Sequence, residues 1–182
     1  MSGLRCLLFF LLLLTPTAVF SASMIQPAMM PLGAGPNAAA ASTARMVGAI
    51  LEFTRWPTAR PVVRLCLTGR TRNAARLNAI DLANGAGVEV SDLDGPTDVP
   101  LDRCDALYIG RLDAPSMRQL IASANGRPVV TIVEDDPVCR SGAMFCLLYG
   151  PQSLSFQLNI DAVSRSAVRI DPRVLRLSKG GY

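Results

Sequence analysis

Segments with helical hydrophobic periodicity alternate with strand-like apolar segments through the middle of the chain. Apolar side chains at helical spacing predict helices over 42–55, 72–83 and 115–125. Runs rich in β-branched residues predict strands over 61–68, 87–90, 105–109 and 127–133. The last of these, RPVVTIV, is apolar almost throughout, as is typical of a strand buried on both faces of a sheet. The alternation therefore predicts helices on both faces of a sheet with parallel strands.

The first predicted helix has recognisable ends. Ser42 or Thr43 is suited to cap its start. Trp56-Pro57 is expected to end it, because the residue before a proline is pushed out of the helical region. The folded domain is accordingly expected to begin near Ser42.

The pattern changes after residue 133. Segments 145–149 and 154–160 read as strands joined by Gly150-Pro151-Gln152-Ser153, which predicts a hairpin. A short helix over 161–166, capped by Asp161, and a strand, turn and short helix over 168–177 complete the chain. Together these elements predict a single three-layer α/β sandwich domain with a mixed sheet and a C-terminal hairpin.

The first residues have the pattern of an export signal. Arg5 precedes an unbroken apolar run, CLLFFLLLL, and Ser21-Ala22-Ser23 provides small residues suited to cleavage. The alternative is an uncleaved anchor, but the run up to Pro16 is short for a bilayer span of about 20 residues. We expect residues 1–23 to be a signal peptide, 24–41 a flexible lead and 42–179 the domain, located in the periplasm.

Charge and composition exclude several classes of function. The chain has 18 basic and 14 acidic residues; removal of Arg5 with the signal leaves 18 − 1 = 17 basic residues and a net charge of +3. This mild charge argues against a nucleic-acid partner. The chain has no histidine, which excludes Ser-His-Asp and Cys-His catalysis and every metal site that contains histidine. No catalytic residue, cofactor or metal is predicted.

Four cysteines remain once Cys6 is removed with the signal. An even number in an exported chain favours disulfides, and three pairings are open. We favour Cys66–Cys104, because an α/β crossover would bring the two strands close together. We also favour Cys139–Cys146, because a tight turn through Ser141-Gly142 would let the two meet.

The loop EDDPVCRSGAMFC has rival interpretations. Asp135 and Asp136 suit calcium, but Pro137 and a cysteine follow where further oxygen ligands are needed. A catalytic thiol would lack a base and a CxxC partner. An enzyme that uses Glu134, Asp135 and Asp136 is a further alternative, although the acids are confined to one loop. A loop closed by a disulfide is the favoured interpretation.

Several segments in their order and spacing resemble the YfiR family over about residues 44–179. They are FTRWP at 53–57, VRLCLTG at 63–69, CDALYIG at 104–110, the EDDPVCRSGAMFC loop and SFQLNIDAVSRS at 155–166. The resemblance implies a periplasmic repressor that binds the periplasmic domain of an inner-membrane diguanylate cyclase and lowers cyclic di-GMP and biofilm formation. It also implies sequestration by an outer-membrane, peptidoglycan-associated lipoprotein, two disulfides that fit the favoured pairing, and a homodimer. Ser166-Ala167 departs from the Ser-Gly common in the family.

Binding of such a partner would concentrate in a few arginine, tryptophan and apolar residues. The candidates beside the first helix end and the last helix are Arg55, Trp56, Gln157, Val163 and Arg169. Arg55 and Arg169 are interpreted first as solvated surface residues; the alternative expectation is that they converge on a carboxylate or anion, with Gln157 and Val163 lining the same patch. The alternative function is a small-ligand-binding sensor module that uses a crevice of the sheet.

Overall fold

The structure is a computed structural model that describes residues 30–35, 37–93, 95 and 99–177. The predicted signal peptide lies outside these residues. Nine strands are described: β1 Met30–Pro31, β2 Thr54–Arg55, β3 Val62–Thr68, β4 Gly87–Asp92, β5 Ala106–Ile109, β6 Val130–Val133, β7 Phe145–Tyr149, β8 Ser153–Leu158 and β9 Arg169–Ile170. The helices of the same residues are α1 Ala38–Glu52, α2 Ala114–Ala124 and α3 Ile160–Ser164, with 3-10 helices at Ala74–Ala79, Leu101–Arg103 and Pro172–Arg176.

Seven of the described strands form one mixed sheet in the order β1-β8-β7-β6-β5-β3-β4. β3 to β7 are parallel, and β8 and β1 are antiparallel additions at one edge. β2 and β9 pair separately as a short antiparallel ribbon. The predicted fold, a three-layer α/β sandwich with a mixed sheet and a C-terminal hairpin (β7–β8), is confirmed.

Two apolar clusters cover the two faces of the sheet. Alternate residues of β3 and β5, among them Leu65 and Tyr108, face α1, while Leu107 and Ile109 face α2. This period of two follows from the strand geometry, in which successive side chains point to opposite faces. β6 is buried along its whole length, as its uniformly apolar sequence predicted. Among the described residues no helix has the length and apolar character needed to cross a membrane.

The predicted start of the first helix at Ser42 is wrong. α1 begins at Ala38, inside the expected lead 24–41, because the alanines before Ser42 have high helix propensity. Thr43 lies in the helix interior, where its hydroxyl donates to Ala39 O at 2.8 Å and meets the Tyr149 hydroxyl at 2.8 Å. β1, also within the expected lead, pairs with β8. The described part of this segment, residues 30–35 and 37–41, therefore belongs to the folded structure.

Three other boundaries differ from their predictions. α1 ends at Glu52, because Thr54 and Arg55 pair with β9 instead of extending the helix. The helix predicted for 72–83 is only the 3-10 helix Ala74–Ala79, and the backbone becomes extended at Ile80. α3 is capped by Asn159, which accepts from Ala162 N at 3.0 Å, and not by Asp161.

Candidate partner-binding surface

The β2–β9 ribbon brings together the two arginines that were expected to converge. Arg55 and Arg169 are directly opposite each other in its register, and both are exposed. Side chains at directly opposite positions of an antiparallel pair share a face and lie within about 5.5 Å at their Cβ atoms. The two guanidinium groups thus belong to one small surface, as a carboxylate-binding pair requires.

The two arginines differ in how they are held. The Arg55 guanidinium donates to Glu52 O at 2.7 Å and to Thr54 O at 3.2 Å, so it caps the carboxyl end of α1. A cation there interacts favourably with the negative end of the helix dipole. Arg169 has no side-chain hydrogen bond or ion pair among the described residues. Arg169 is therefore the cation of the pair that is available to a partner.

A second charged pair borders the ribbon. Asp171 N donates to Phe53 O at 2.8 Å, and the Arg173 guanidinium binds the Asp171 carboxylate at 2.7 Å. Hydrogen bonds from the Arg173 side chain and backbone lower the pKa of Asp171 to about 2. The Arg173 guanidinium also lies 5.7 Å from the centre of the Phe53 ring, at cation–π distance. Sequence reasoning missed these residues, although Asp171-Pro172 is a recognisable helix start.

Trp56 is half-buried and joins the ribbon to the sheet. Its indole Nε1 donates to Asp105 O at 3.1 Å, just before β5. The Asp105 carboxylate is 1% exposed and accepts from Arg60 Nε at 2.7 Å and from Arg64 Nε at 2.9 Å. Burial by itself would raise the pKa of Asp105, but the hydrogen bonds and charge of Arg64 outweigh it and lower the pKa. Trp56 is thereby fixed at the amino ends of the parallel strands.

Val163 and Gln157 do not share one patch. Val163 is half-buried in α3 and packs against the cluster on the α1 side of the sheet, which also contacts Phe53 and Trp56. Gln157 is opposite Cys146 in the β7–β8 register, so its exposed side chain is directed to the α2 side. The expected common patch is wrong for Gln157, because successive side chains of β8 point to opposite faces and Gln157 is directed away from the Val163 side.

The departure at Ser166-Ala167 is accommodated without backbone strain. The Ser166 hydroxyl donates to Val163 O at 3.1 Å and accepts from Val168 N at 3.2 Å, which closes the turn between α3 and β9. Cys139 is the one non-glycine residue with a positive φ in the described chain, so Ala167 does not require the freedom of a glycine.

The carboxylates of the acidic loop, at the opposite end of the strands, bind other groups of the protein. Glu134 is 1% exposed and accepts from Arg72 N at 2.9 Å, Asn73 N at 2.7 Å and Asn73 Nδ2 at 2.8 Å. Asp135 binds Arg111 at 2.8 Å. Because each of these carboxylates already holds a loop in place, the structure does not favour the enzyme alternative.

Asp136 and the second disulfide organise the rest of that loop. Asp136 accepts from Arg140 N at 3.0 Å and Ser141 N at 2.7 Å. Burial alone would raise the pKa of Asp136, but these backbone hydrogen bonds outweigh it and lower the pKa. Cys139 adopts a φ of 49° and bonds to Cys146, with the two Cα atoms 5.5 Å apart.

Asp136, Cys139 and Cys146 also place one ligand atom each within 4.8 Å of one another. Metal coordination needs thiolates, however, and both sulfurs are engaged in the disulfide. The structure contains the second favoured disulfide as well, Cys66–Cys104, with its Cα atoms 5.8 Å apart.

The crevice expected for the sensor alternative is closed. In open α/β sheets, ligands bind at the carboxyl ends of neighbouring strands whose connections leave to opposite faces, here β3 and β5. At that point Arg70 N donates to Arg111 O at 3.1 Å and Arg111 N donates to Arg70 O at 3.0 Å. A Cβ on Gly110 would lie 2.4 Å from the Arg70 carbonyl carbon. Main chain therefore fills the position where a ligand would bind.

A comparison with known protein families places the chain in one of them. The sequence model of a family described as YfiR/HmsC-like matches residues 40–179, which is most of the chain and nearly all of the described structure. YfiR-like proteins are periplasmic and regulatory rather than enzymatic. The match contains the ribbon, α3, both disulfides and the closed carboxyl edge. The chain belongs to the YfiR/HmsC-like family.

Proposed function

We propose that this protein is a periplasmic repressor that binds the periplasmic domain of an inner-membrane diguanylate cyclase and lowers cyclic di-GMP output. We further propose that an outer-membrane, peptidoglycan-associated lipoprotein sequesters it and relieves the repression. The family match over residues 40–179 is the observation that carries this proposal. The closed crevice and the structural roles of the acids support binding to a protein over catalysis or ligand sensing.

We place the partner contact on the β2–β9 ribbon and the adjoining α3. An exposed arginine with no partner of its own, beside a half-buried tryptophan and a cation–π pair, has the composition of a protein-binding hot spot. The surface is positively charged through Arg55 and Arg169, with Asp171 neutralised by Arg173. A carboxylate of the cyclase domain fits this pair of guanidinium groups.

The proposal is tested with the chain produced from its full sequence and purified from the periplasm without reductant. Arg169→Asp reverses an exposed charge, so it should leave the thermal unfolding temperature unchanged and weaken capture of the cyclase about tenfold, as for loss of one interface hot spot. Cyclic di-GMP in cells carrying this variant should rise. Val163→Asp is a less specific test, because Val163 packs against the core.

The matched control is Arg118→Asp, an equal charge change at an exposed position of α2. It should bind and repress like the wild type. A folded Arg169→Asp protein that captures the cyclase at wild-type affinity would remove the ribbon from consideration. A wild-type protein that recovers no membrane cyclase in oxidising or reducing buffer would contradict the proposed function itself.

A further inference from the structure

The loop between β6 and β7 is held in shape by hydrogen bonds that do not involve its two sulfur atoms. Cys139 N donates to Asp136 O at 3.0 Å. The Asp136 carboxylate accepts from Arg140 N at 3.0 Å and from Ser141 N at 2.7 Å. At the other end of the loop, Cys146 lies within β7, which is paired with strands on both sides. The loop should therefore keep its shape when the bond between the two sulfurs is broken.

The two disulfides differ in their access to a reductant. Cys66 and Cys104 are each 2% exposed, whereas Cys139 is half-buried in an otherwise exposed turn. A dithiol reduces a disulfide by attack on a sulfur that it can reach, so it should open Cys139–Cys146 first. In that step the bond between the two sulfurs breaks and takes up two electrons and two protons. The dithiol supplies them and is oxidised to its own disulfide.

We infer that the reduced loop binds a thiophilic divalent metal ion of the zinc class. The ligands are the Cys139 and Cys146 thiolates and the Asp136 carboxylate, whose ligand atoms all lie within 4.8 Å of one another. Two thiolates with a carboxylate suit zinc and cadmium, whereas calcium and magnesium take oxygen ligands. Binding of the ion displaces the two thiol protons, which are released to solvent.

The distances in the loop agree with tetrahedral coordination. Bonds of about 2.3 Å to sulfur and about 2.1 Å to oxygen place the two sulfurs about 3.8 Å apart and sulfur and oxygen about 3.6 Å apart. Cys146 Sγ already lies 4.0 Å from Asp136 Oδ2. The Cα atoms of Cys139 and Cys146 are 5.5 Å apart, so rotation of the two side chains brings the freed sulfurs to the required separation.

A cavity beside the loop provides the entry path and an open coordination position. It has a volume of about 340 Å³, and Asp136, Arg140 and Ser141 line it together with Arg118 of α2. Three protein ligands leave the fourth position of a tetrahedral ion to a solvent molecule from this cavity. Three anionic ligands around a divalent ion leave one negative charge. Arg118 and Arg140 offset it, since neither guanidinium forms an ion pair among the described residues.

The experiment uses the full chain, purified from the periplasm without reductant, and a dithiol that is removed before metal is added. Alkylation and mass spectrometry should find two free thiols, at Cys139 and Cys146. Titration with Cd²⁺ should give the ultraviolet absorption of cadmium–thiolate bonds and saturate at one ion per chain. Calorimetry with Zn²⁺ should give the same stoichiometry and the release of two protons. The oxidised chain should bind neither ion.

Three variants assign the ligands. Cys139→Ser/Cys146→Ser should abolish binding of Cd²⁺ after the same treatment. Asp136→Asn keeps an oxygen acceptor for the loop but loses the anionic ligand, so it should weaken binding at least about tenfold, the loss that even changes around a ligand cause. Asp135→Asn is the matched control, because this neighbouring carboxylate lies outside the three-ligand cluster and binds Arg111. It should bind Cd²⁺ like the wild type.

Several results would overturn the inference. The first is a reduced, folded chain with both thiols free that binds neither Cd²⁺ nor Zn²⁺. Equal binding by the Cys139→Ser/Cys146→Ser chain would place the metal elsewhere, and equal affinity of Asp136→Asn would remove the carboxylate from the site. A Cys139–Cys146 bond that stays oxidised until the chain unfolds would contradict it as well. Capture of the cyclase by Arg169→Asp, at the opposite end of the strands, is independent of these results.

Discussion

The two ends of the parallel strands differ in how their polar groups are used. At the carboxyl ends, Glu134 and the Arg70–Arg111 backbone bridge make hydrogen bonds within the protein. At the other end, the β2–β9 ribbon exposes Arg169 to solvent. Carboxyl ends are where α/β sheets usually bind ligands. Here main chain closes that edge between β3 and β5, and the Glu134 carboxylate beside it is buried and hydrogen-bonded. On the proposed function, the partner binds at the end that displays an exposed arginine, and not at the end where the sheet architecture usually places a ligand.

The two disulfides lie in different parts of the molecule, and they should differ in their effect on stability. Cys66–Cys104 closes 38 residues and lies in the core, while Cys139–Cys146 closes seven residues of the acidic loop. On loop entropy, replacing the first pair by serines should lower the free energy of unfolding by about 4 kcal/mol and replacing the second by about 2.5 kcal/mol. Denaturant unfolding of each double variant measures this. Equal losses would contradict the loop-length argument.

A substitution at Gly110 should open the Arg70–Arg111 backbone bridge at the carboxyl ends of β3 and β5. Gly110→Ala forces a Cβ to within 2.4 Å of the Arg70 carbonyl carbon, so the bridge must open, at a cost of about 3 kcal/mol in unfolding free energy. Gly87→Ala is the control, because its Cβ would meet only Val62 Cγ2 at an ordinary 3.7 Å. Urea unfolding of both should separate them. A fully stable Gly110→Ala protein would show that the edge is not closed by the bridge.

Glu134 provides a second way to loosen the same edge. Glu134→Gln places an amide donor against backbone N–H groups of Arg72 and Asn73, and it should lower the unfolding free energy by roughly 2 to 3 kcal/mol. Asp135→Asn, which removes an exposed ion pair, should cost below about 1 kcal/mol. Urea unfolding compares the two. If both lose the same stability, the Glu134 carboxylate does not hold the loop as described.

The stability that Asp105 contributes near the ribbon should depend on pH. The folded-state pKa of Asp105 is lowered, so its contribution to stability is present above the ordinary value near 4 and is lost as pH falls through the lowered value. Asp105→Asn should lower stability by about 2 kcal/mol at neutral pH. The difference from wild type should shrink in unfolding measured below pH 4. If the difference in unfolding free energy between wild type and Asp105→Asn stays constant down to pH 2, the ionised Asp105 carboxylate is not what stabilises this end.

The pattern of strands and helices was predictable where local sequence and tertiary structure agree. β3 and β6 follow from β-branched runs, the β7–β8 hairpin from two segments joined by Gly150-Pro151-Gln152-Ser153, and α2 from its periodicity. Predictions were wrong where a distant group competes for local backbone. Thr54 and Arg55, which periodicity placed at the end of the first helix, pair with β9 instead.

For the candidate surface, the sequence indicated residue types but not their faces. Arg55 and Arg169 were expected to converge, and their register in the ribbon brings them together. Gln157 was assigned to the same patch because it is close to Val163 in sequence. The β7–β8 pairing directs the Gln157 side chain to the opposite face. Alternation along a strand shows which residues share a face, but only the strand pairing shows which face of the sheet that is.

Sequence by itself determined the sandwich architecture, the absence of histidine chemistry and the resemblance to a family of regulators, because these depend on composition, periodicity and the order of motifs. Tertiary structure alone decided that main chain closes the carboxyl ends of β3 and β5, that Glu134 and Asp136 organise loops, and that Arg169 has no ion pair among the described residues. Those outcomes depend on contacts between segments tens of residues apart, and the physical reason is that a charged group's role is set by what surrounds it after folding.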